Sequence, residues 1–227
     1  TTFIAKNIAI KMINSHLSRQ IRQNFPHTPT NEQLFALNIL ADFLLSANEN
    51  SALLLKGYAG TGKTSLVGAL VKTMSGLKQK SVLLAPTGRA AKVLSNYAGQ
   101  QAFTIHKKIY RQDAFSNDLS AFHPSDNLHK DTLFIVDEAS MISNQGIDSH
   151  YFGSGRLLDD LVHYVYSGEN CRLMLMGDTA QLPPVMQVES PALQADILRG
   201  YNLQVDEIQL TEVVRQDLNS GILYNAT

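Results

Sequence analysis

The segment Gly57-Tyr-Ala-Gly-Thr-Gly-Lys63-Thr64 combines the residue types that bind a phosphate chain. It matches the spacing G-x-x-x-x-G-K-[ST] and directly follows a short apolar run. Glycines let backbone N–H groups curl around phosphate oxygens, and the N-terminus of a following helix adds a favourable dipole. In such a loop the lysine reaches the β- and γ-phosphates, and the threonine hydroxyl binds Mg²⁺. The predicted nucleotide ligands are Gly57, Ala59, Gly60, Thr61, Gly62, Lys63, Thr64 and Ser65.

Two acidic residues stand where a second apolar run ends, in Leu133-Phe-Ile-Val-Asp137-Glu138. Ligands of parallel sheets gather at the carboxyl ends of the strands, which places both acids near the phosphates. Asp137 is then suited to hold Mg²⁺ together with Thr64. Glu138 is suited to act as general base on the attacking water. Alone, the pattern is an ordinary strand end, and the glycine loop before it makes the catalytic interpretation the better one.

A third apolar run, from Leu173 to Met176, leads into Gly177-Asp178-Thr-Ala-Gln181-Leu-Pro183-Pro184. Gln181 can both donate and accept hydrogen bonds, so it is a candidate sensor of the γ-phosphate. The two prolines would stiffen the loop. A plain β-turn is the alternative interpretation.

The elements that must position these residues alternate between strand and helix. Short apolar runs predict strands at 52–56, 81–85, 132–136 and 172–176. Helical patterns lie between them at 63–75, 89–98 and 155–167. This alternation predicts an α/β fold with a mainly parallel sheet and helices on both faces.

Two helices are predicted before the first strand. Residues 4–25 carry apolar side chains at helical spacing, among them Met12, Leu17 and Ile21. Thr30 and Gln33 form a capping-box pattern that opens a helix to about residue 47. The polar stretch 111–131 is predicted to be an inserted loop or hairpin.

Charge is distributed unevenly along the chain. The formal net charge is −1, yet residues 51–112 contain ten Lys or Arg residues and no Asp or Glu. This favours contact with a polyanion, although a basic face balanced by acids elsewhere in the fold is equally open. The single cysteine, Cys171, excludes an intrachain disulfide and is expected in the core. No apolar run approaches the roughly 18 residues of a membrane span, and a reducing cytoplasm fits this composition.

Taken in order, these blocks resemble superfamily 1 DNA helicases of the RecD and Dda type. The resemblance implies a RecA-like P-loop NTPase fold and a motor that couples ATP hydrolysis to movement along single-stranded DNA, in the 5′-to-3′ direction. It implies an N-terminal helical segment over 1–29 and the first RecA-like ATPase domain over 30–227. The family's second RecA-like domain is expected to lie outside this chain.

The resemblance also implies residue roles. Gln33 matches the glutamine that contacts adenine, and Arg215, in Leu210-Thr-Glu-Val-Val-Arg215, matches an arginine that reaches the γ-phosphate. Two further blocks, Ala85-Pro-Thr-Gly-Arg89 and Thr104-Ile-His106, match elements that touch single-stranded DNA. The DNA contacts they imply are Pro86, Thr87, Arg89 and His106.

Aromatic residues near these blocks are candidates for stacking on bases, although each is more often a core residue. They are Phe103, Tyr110, Phe115 and Phe122. The stretch 111–131 stands where the family inserts a hairpin that splits the duplex, so Phe115 or Phe122 at its tip is a wedge candidate.

Three other functions compete with the helicase. A metal nuclease commonly needs an acid-x-Lys element, and no Asp-x-Lys or Glu-x-Lys occurs in the chain. A P-loop NTPase of another class would need no DNA, so DNA-stimulated ATPase activity separates it from a helicase. A binding module with an inactive P-loop is disfavoured by the intact Lys63, Thr64, Asp137 and Glu138. The loop over 145–156 holds Asp148 and His150, for which a solvated loop is favoured over a metal site.

Residues 1–227 alone are expected to bind nucleotide, to hydrolyse it slowly and not to unwind DNA. Translocation requires two domains that open and close around ATP. A strand-displacement assay on the isolated chain checks this, and measurable unwinding would refute it.

Overall fold

The computed structural model describes residues 2–112, 122–144, 152–181, 184 and 189–214. Within these ranges the chain forms a six-stranded parallel sheet with helices on both faces, which confirms the predicted fold class. The strands are β1 (Ser51–Gly57), β2 (Lys80–Ala85), β3 (Ala102–Thr104), β4 (Tyr110–Gln112), β5 (Phe122–Pro124), β6 (Thr132–Val136), β7 (Arg172–Gly177) and β8 (Gln204–Leu210). The helices are α1 (Thr2–Gln23), α2 (Asn31–Leu45), α3 (Lys63–Gly76), α4 (Gly88–Ala98), α5 (Ile105–Ile109), α6 (Leu157–Tyr166) and α7 (Ala195–Arg199).

The strand order in the sheet is β3-β2-β6-β7-β1-β8. Because every neighbouring pair is parallel, all six carboxyl ends lie along one edge. The phosphate-loop motif follows β1, the two acids follow β6, and β7 lies between these strands. The four predicted strands are therefore the four central ones. The border strands β3 and β8 were not predicted, because β3 has only three residues and four of the seven residues of β8 are polar.

The core consists of two layers, one on each face of the sheet. Along β1, Leu53 and Leu55 enter one layer while Ala52 and Leu54 enter the other, and all four are fully buried. Strand side chains alternate between faces, so a strand covered on both sides must be apolar throughout. This is why the central strands read as continuous apolar runs. Cys171 lies in the second layer, as expected.

The N-terminal helices cover one face. Thr30 and Gln33 form the predicted capping box at the start of α2: the Gln33 N–H donates to Thr30 Oγ1 (3.4 Å), and the Thr30 N–H donates to Gln33 Oε1 (3.0 Å). In α1, Leu17 and Ile21 are buried as the periodicity predicted. Met12 is 68% exposed, so its place in the same buried stripe was wrong.

The stretch 111–131 contains an antiparallel pair, β4 with β5, and residues 113–121 between them lie outside the described part. Phe122 pairs with Gln112 at the end of this ladder next to residues 113–121, and it stacks on Phe152, with ring centres 4.9 Å apart. The wedge role of Phe122 stays a prediction, and Phe115 lies outside the described residues. Tyr110 is buried and its hydroxyl donates to Asp160 Oδ2 (2.7 Å), so it does not offer a face to a base.

The basic residues of 51–112 do not all share one surface. Lys56 forms an ion pair with Glu207 (2.6 Å). Lys80 stands at the start of β2, which is the edge of the sheet opposite to the strand ends, and its Nζ donates to the Lys130 carbonyl. Of the ten basic residues, only those near the carboxyl ends of the strands therefore remain candidates for contact with a polyanion.

Arg172 fastens the C-terminus of α2 to the start of β7. Its guanidinium donates to the carbonyls of Phe43, Leu44 (3.1 Å) and Ser46 (3.3 Å), and it lies 5.0 Å from the centre of the Phe43 ring. The last carbonyls of a helix have no partner inside the helix, so this one side chain satisfies three carbonyls at the end of α2.

Arg172→Met is expected to lower the free energy of unfolding by about 1.5 to 3 kcal/mol, the range for hydrogen bonds to a charged group. Methionine keeps the apolar contact with Phe43 but cannot donate to the three carbonyls. Urea denaturation measures the effect. Arg19→Met, at an exposed position of α1, is the matched control and is expected to change little. Equal stability of the two variants would refute the capping role.

Candidate nucleotide-binding site

The loop between β1 and α3 depends on glycine conformations. Gly60 has φ +80° and Gly62 has φ +89°, both in the left-handed region that favours glycine. A Cβ on Gly62 would lie 2.4 Å from Gln33 Nε2. The motif therefore specifies glycine here for two reasons, backbone conformation and lack of space.

Gln33 holds this loop from the side. Its Nε2 donates to the Thr61 carbonyl (2.9 Å), while its Oε1 takes part in the capping box of α2. The side chain is only 3% exposed. Thr61 is itself buried, and its hydroxyl donates to the Tyr58 carbonyl (2.8 Å). The first turn of α2 and the loop thus form one hydrogen-bonded unit.

Lys63, the first residue of α3, lines the same cavity as Asp137, Glu138 and Asp178. Burial lowers the pKa of its ammonium group, while the charges of Asp178, Asp137 and Glu138 act in the opposite direction. Its Nζ donates to the carbonyls of Gly57 (2.7 Å) and Tyr58 (3.0 Å). The ends of β1, β6 and β7 therefore converge on one ammonium group.

The two acids after β6 occupy different environments. Burial raises the pKa of Asp137 to about 6, and the Glu138 N–H donates to Asp137 Oδ1 (2.8 Å). Glu138 itself has φ +54° and ψ +38°. A non-glycine residue in this region costs on the order of 1–3 kcal/mol, and such conformations cluster at functional sites.

The turn after β7 is joined to the turn after β6. The Ser140 hydroxyl donates to Gln181 Oε1 (2.9 Å), and Asp178 Oδ1 accepts from the Ala180 N–H (2.8 Å). A Cβ on Gly177 would lie 3.0 Å from the Ser140 backbone nitrogen. The two turns therefore pack closely, and Gln181 is positioned by a residue of the neighbouring turn.

A cavity of about 690 Å³ opens above these strand ends. The predicted site residues that line it are Gln33, Ala59, Gly60, Gly62, Lys63, Thr64, Ser65, Asp137, Glu138 and Gln181. Gly57 and Thr61 do not line it, but they maintain the shape of the loop. The structure thus brings together residues that are separated by more than a hundred positions in the chain.

The sequence analysis missed several residues of this cavity. Asp178 is the most important, because it is buried and interacts with Lys63. Its position immediately after an apolar run was the signal that could have identified it. The connector 24–28 and Lys72, Asn96 and Tyr97 of α3 and α4 also line the cavity. No pattern in the sequence marks them.

The predicted DNA-contact residues lie outside this cavity, after the neighbouring strands. Pro86, Thr87 and Arg89 follow β2, and Arg89 is exposed. The Thr87 hydroxyl caps α4 by accepting from the Ala90 N–H (3.2 Å). His106, in α5, lies edge-on to Phe152 with ring centres 4.9 Å apart. They lie along the same edge of the sheet as the cavity.

Some predicted residues fall outside the described part of the chain. Arg215 is one of them, as are Pro183 and the residues of the loop up to 151. In the described part of this loop, residues 152–156, the Ser154 N–H donates to Asp160 Oδ2 (3.0 Å).

A glycine loop between a strand and a helix, with its lysine among the acidic ends of neighbouring strands, defines a P-loop nucleotide-binding protein. A family model described as an AAA domain matches residues 43–223, and the chain belongs to this family. Nucleotide binding follows from this membership. Among the described residues, none of the helices combines the length and apolar character required to cross a membrane.

The chain is similar to two DNA helicases. It is 32% identical over 173 residues to the ATP-dependent RecD2 DNA helicase of Deinococcus radiodurans, which covers 76% of the chain and 21% of that protein. It is 29% identical over 176 residues to the ATP-dependent DNA helicase dda of Enterobacteria phage T4, which covers 76% and 36%. These matches confirm the resemblance, and the chain spans only about a fifth to a third of these relatives.

A solved structure is also similar. It is the Pif1 helicase from Bacteroides in complex with ADP-AlF3 and ssDNA, at 17% identity and a TM-score of 0.48, covering 84% of this chain and 44% of that one.

Gly62→Ala is expected to weaken the binding of a fluorescent ATP analogue by at least about tenfold, since left-handed backbone costs an alanine roughly 1–2 kcal/mol and the new methyl group also meets Gln33. Gly99→Ala is the matched control. Gly99 has φ +66° as well, but apart from its chain neighbours no atom of the described residues lies within 4 Å of its Cβ position. The control should lose stability and keep its affinity. Equal affinities in the two variants would contradict the prediction.

Proposed function

We propose that this chain is the ATP-binding core of an ATP-dependent DNA helicase or translocase that moves along single-stranded DNA in the 5′-to-3′ direction. The observation that carries the proposal is the convergence of Lys63 with Asp137 and Glu138 in one cavity. The similarity to two proteins named ATP-dependent DNA helicases supports DNA rather than another substrate. The polarity comes from the family resemblance.

In this proposal Lys63 binds the β- and γ-phosphates of ATP. Thr64 and Asp137 hold Mg²⁺, and their oxygens fit this ion, which takes one or two protein ligands and completes its shell with phosphates and water. The bound ion would neutralise charge on the phosphates. Glu138 accepts a proton from the attacking water, and Gln181, held by Ser140, senses the γ-phosphate. Arg215 supplies positive charge to the transferring phosphoryl group.

The adenine would lie beside Gln33. Both ends of the Gln33 amide already make hydrogen bonds, to Thr61 and Thr30. An amide NH₂ has a second hydrogen and its oxygen a second lone pair, so contact with the base can be added without breaking either bond.

The DNA would cross the ends of β2 and β3, with contacts from Pro86, Thr87, Arg89 and His106. A direct path joins this surface to the nucleotide, because the Asp137 N–H donates to the Leu84 carbonyl (2.9 Å) near the end of β2. A shift of β6 on hydrolysis would therefore reach the DNA-contact loop through one hydrogen bond.

We further propose that residues 30–227 form the first of two RecA-like domains, and that the second completes the ATP site and the DNA groove. In this proposal residues 1–29 are the N-terminal helical segment, whose helix α1 packs on α2 and α3 and shares their core. The single buried thiol of Cys171 is compatible with a reducing cytoplasm, where we place the protein.

The decisive experiment is the ATPase rate of the natural full-length protein, with and without single-stranded DNA. Glu138→Gln is expected to lower kcat by about 100- to 10,000-fold, the range for loss of a general base, and to keep ATP binding. Glu169→Gln is the control, since Glu169 pairs with Lys130 at the opposite edge of the sheet. ATPase activity that DNA does not stimulate would favour a P-loop NTPase of another class. No hydrolysis at all would favour a binding module.

A further inference from the structure

Residues 211–214, which follow β8, are held beside the nucleotide site by the side chain of Glu32 in α2. Its carboxylate accepts from the N–H groups of Thr211 (2.7 Å) and Glu212 (2.9 Å), and from the Thr211 hydroxyl. These partners lie some 180 residues away in sequence. The hydroxyl contact is the largest of the causes that lower the pKa of the Glu32 carboxyl, so the charged form makes the contacts.

Burial does not hold this segment in place. Thr211, Glu212 and Val213 are all exposed, in contrast to Leu210 at the end of β8, which is buried. The segment therefore depends on hydrogen bonds for its position. Glu32 supplies three of them.

The same segment touches the phosphate loop. The Val214 N–H donates to the Gly60 carbonyl (3.0 Å), and Val213 Cγ1 lies 3.3 Å from the Cβ position of Gly60. Gln33, the next residue after Glu32, holds the other side of the loop through Thr61. The first turn of α2 thus grips the loop twice, once directly and once through residues 211–214.

We propose that Glu32 is a positioning residue for ATP hydrolysis: by clamping residues 211–212, it sets the contact of Val214 with the Gly60 carbonyl and so the shape of the phosphate loop during the chemical step. The inference rests on the proposed ATPase function and adds a residue that does not itself touch the nucleotide. Val214 is also the last described residue before Arg215 in the sequence.

A simpler explanation is that Glu32 only stabilises α2, because an acid in the first turn interacts favourably with the helix dipole. The two explanations differ in what they predict for Glu32→Gln. The glutamine side chain has no charge, but its oxygen can accept from both N–H groups and its NH₂ can donate to the Thr211 hydroxyl. A clamp made of hydrogen bonds therefore survives this substitution, whereas a charge effect does not.

The test compares Glu32→Ala and Glu32→Gln with wild type in the full-length protein. In Glu32→Ala, kcat with single-stranded DNA is expected to fall by about 10- to 100-fold, as for a misplacement of about 1 Å in a catalytic site. The KM for ATP and the melting temperature should change little, since the side chain is not part of the buried core. Glu32→Gln should retain most of the wild-type kcat. Glu49→Ala, an exposed acid beyond the other end of α2, is the control and should behave as wild type.

Hydrogen exchange at the Val214 amide provides a second readout that needs no ATPase activity. The hydrogen bonds of Glu32 go to Thr211 and Glu212, so faster exchange at Val214 in Glu32→Ala, but not in Glu32→Gln, would show that the clamp reaches the phosphate loop. Unchanged exchange at Val214, or a kcat equal to wild type in Glu32→Ala, would overturn the inference. So would equal losses in the Gln and Ala variants. A wild-type protein without ATPase activity, but with the expected exchange pattern, would refute the proposed function and leave the clamp as a structural link.

Discussion

The site depends on one constraint, namely that the carboxyl ends of parallel strands meet at a single edge. Each strand delivers its next residues to that edge, so Lys63 after β1, Glu138 after β6 and Asp178 after β7 become neighbours. Burying one ammonium group and several carboxylates is unfavourable, but their mutual attraction and the hydrogen bonds of the turns offset part of this free energy. Burial works against both kinds of charge, as the shifted pKa values of Lys63 and Asp137 indicate.

The loops at this edge are held in place by hydrogen bonds from other segments of the chain rather than by contacts within each loop. The phosphate loop is gripped by Gln33, the turn after β7 is tied to the turn after β6 through Ser140, and the strained backbone of Glu138 is held between β6 and a short 3-10 turn. The first two links join segments that are distant in sequence. A network of this kind lets a change at one loop of the cavity move several segments together.

The proposed DNA surface and the nucleotide cavity lie along the same edge of the sheet but follow different strands. The candidate contacts follow β2 and β3, and the hydrogen bond from Asp137 to Leu84 joins the two regions. The charge of Lys56 is not available to bind a phosphate of DNA, since Lys56 forms an ion pair with Glu207. The electrostatic argument for DNA is therefore local to α4 and α5 and does not extend over the whole acid-free stretch.

The sequence by itself determined the four central strands, the main helices between them and ten of the residues that line the cavity, because these depend on local signals. An apolar run, a glycine pattern and a capping box are each complete within a few residues. Only the tertiary structure decided which exposed or weakly patterned residues join the site, such as Asp178, Tyr97 and Glu32. It also decided that Tyr110 is buried, that Phe122 packs against the core and that Met12 is exposed. Those outcomes depend on which segments meet across the sheet, and pairing over some 180 residues leaves no trace in local spacing.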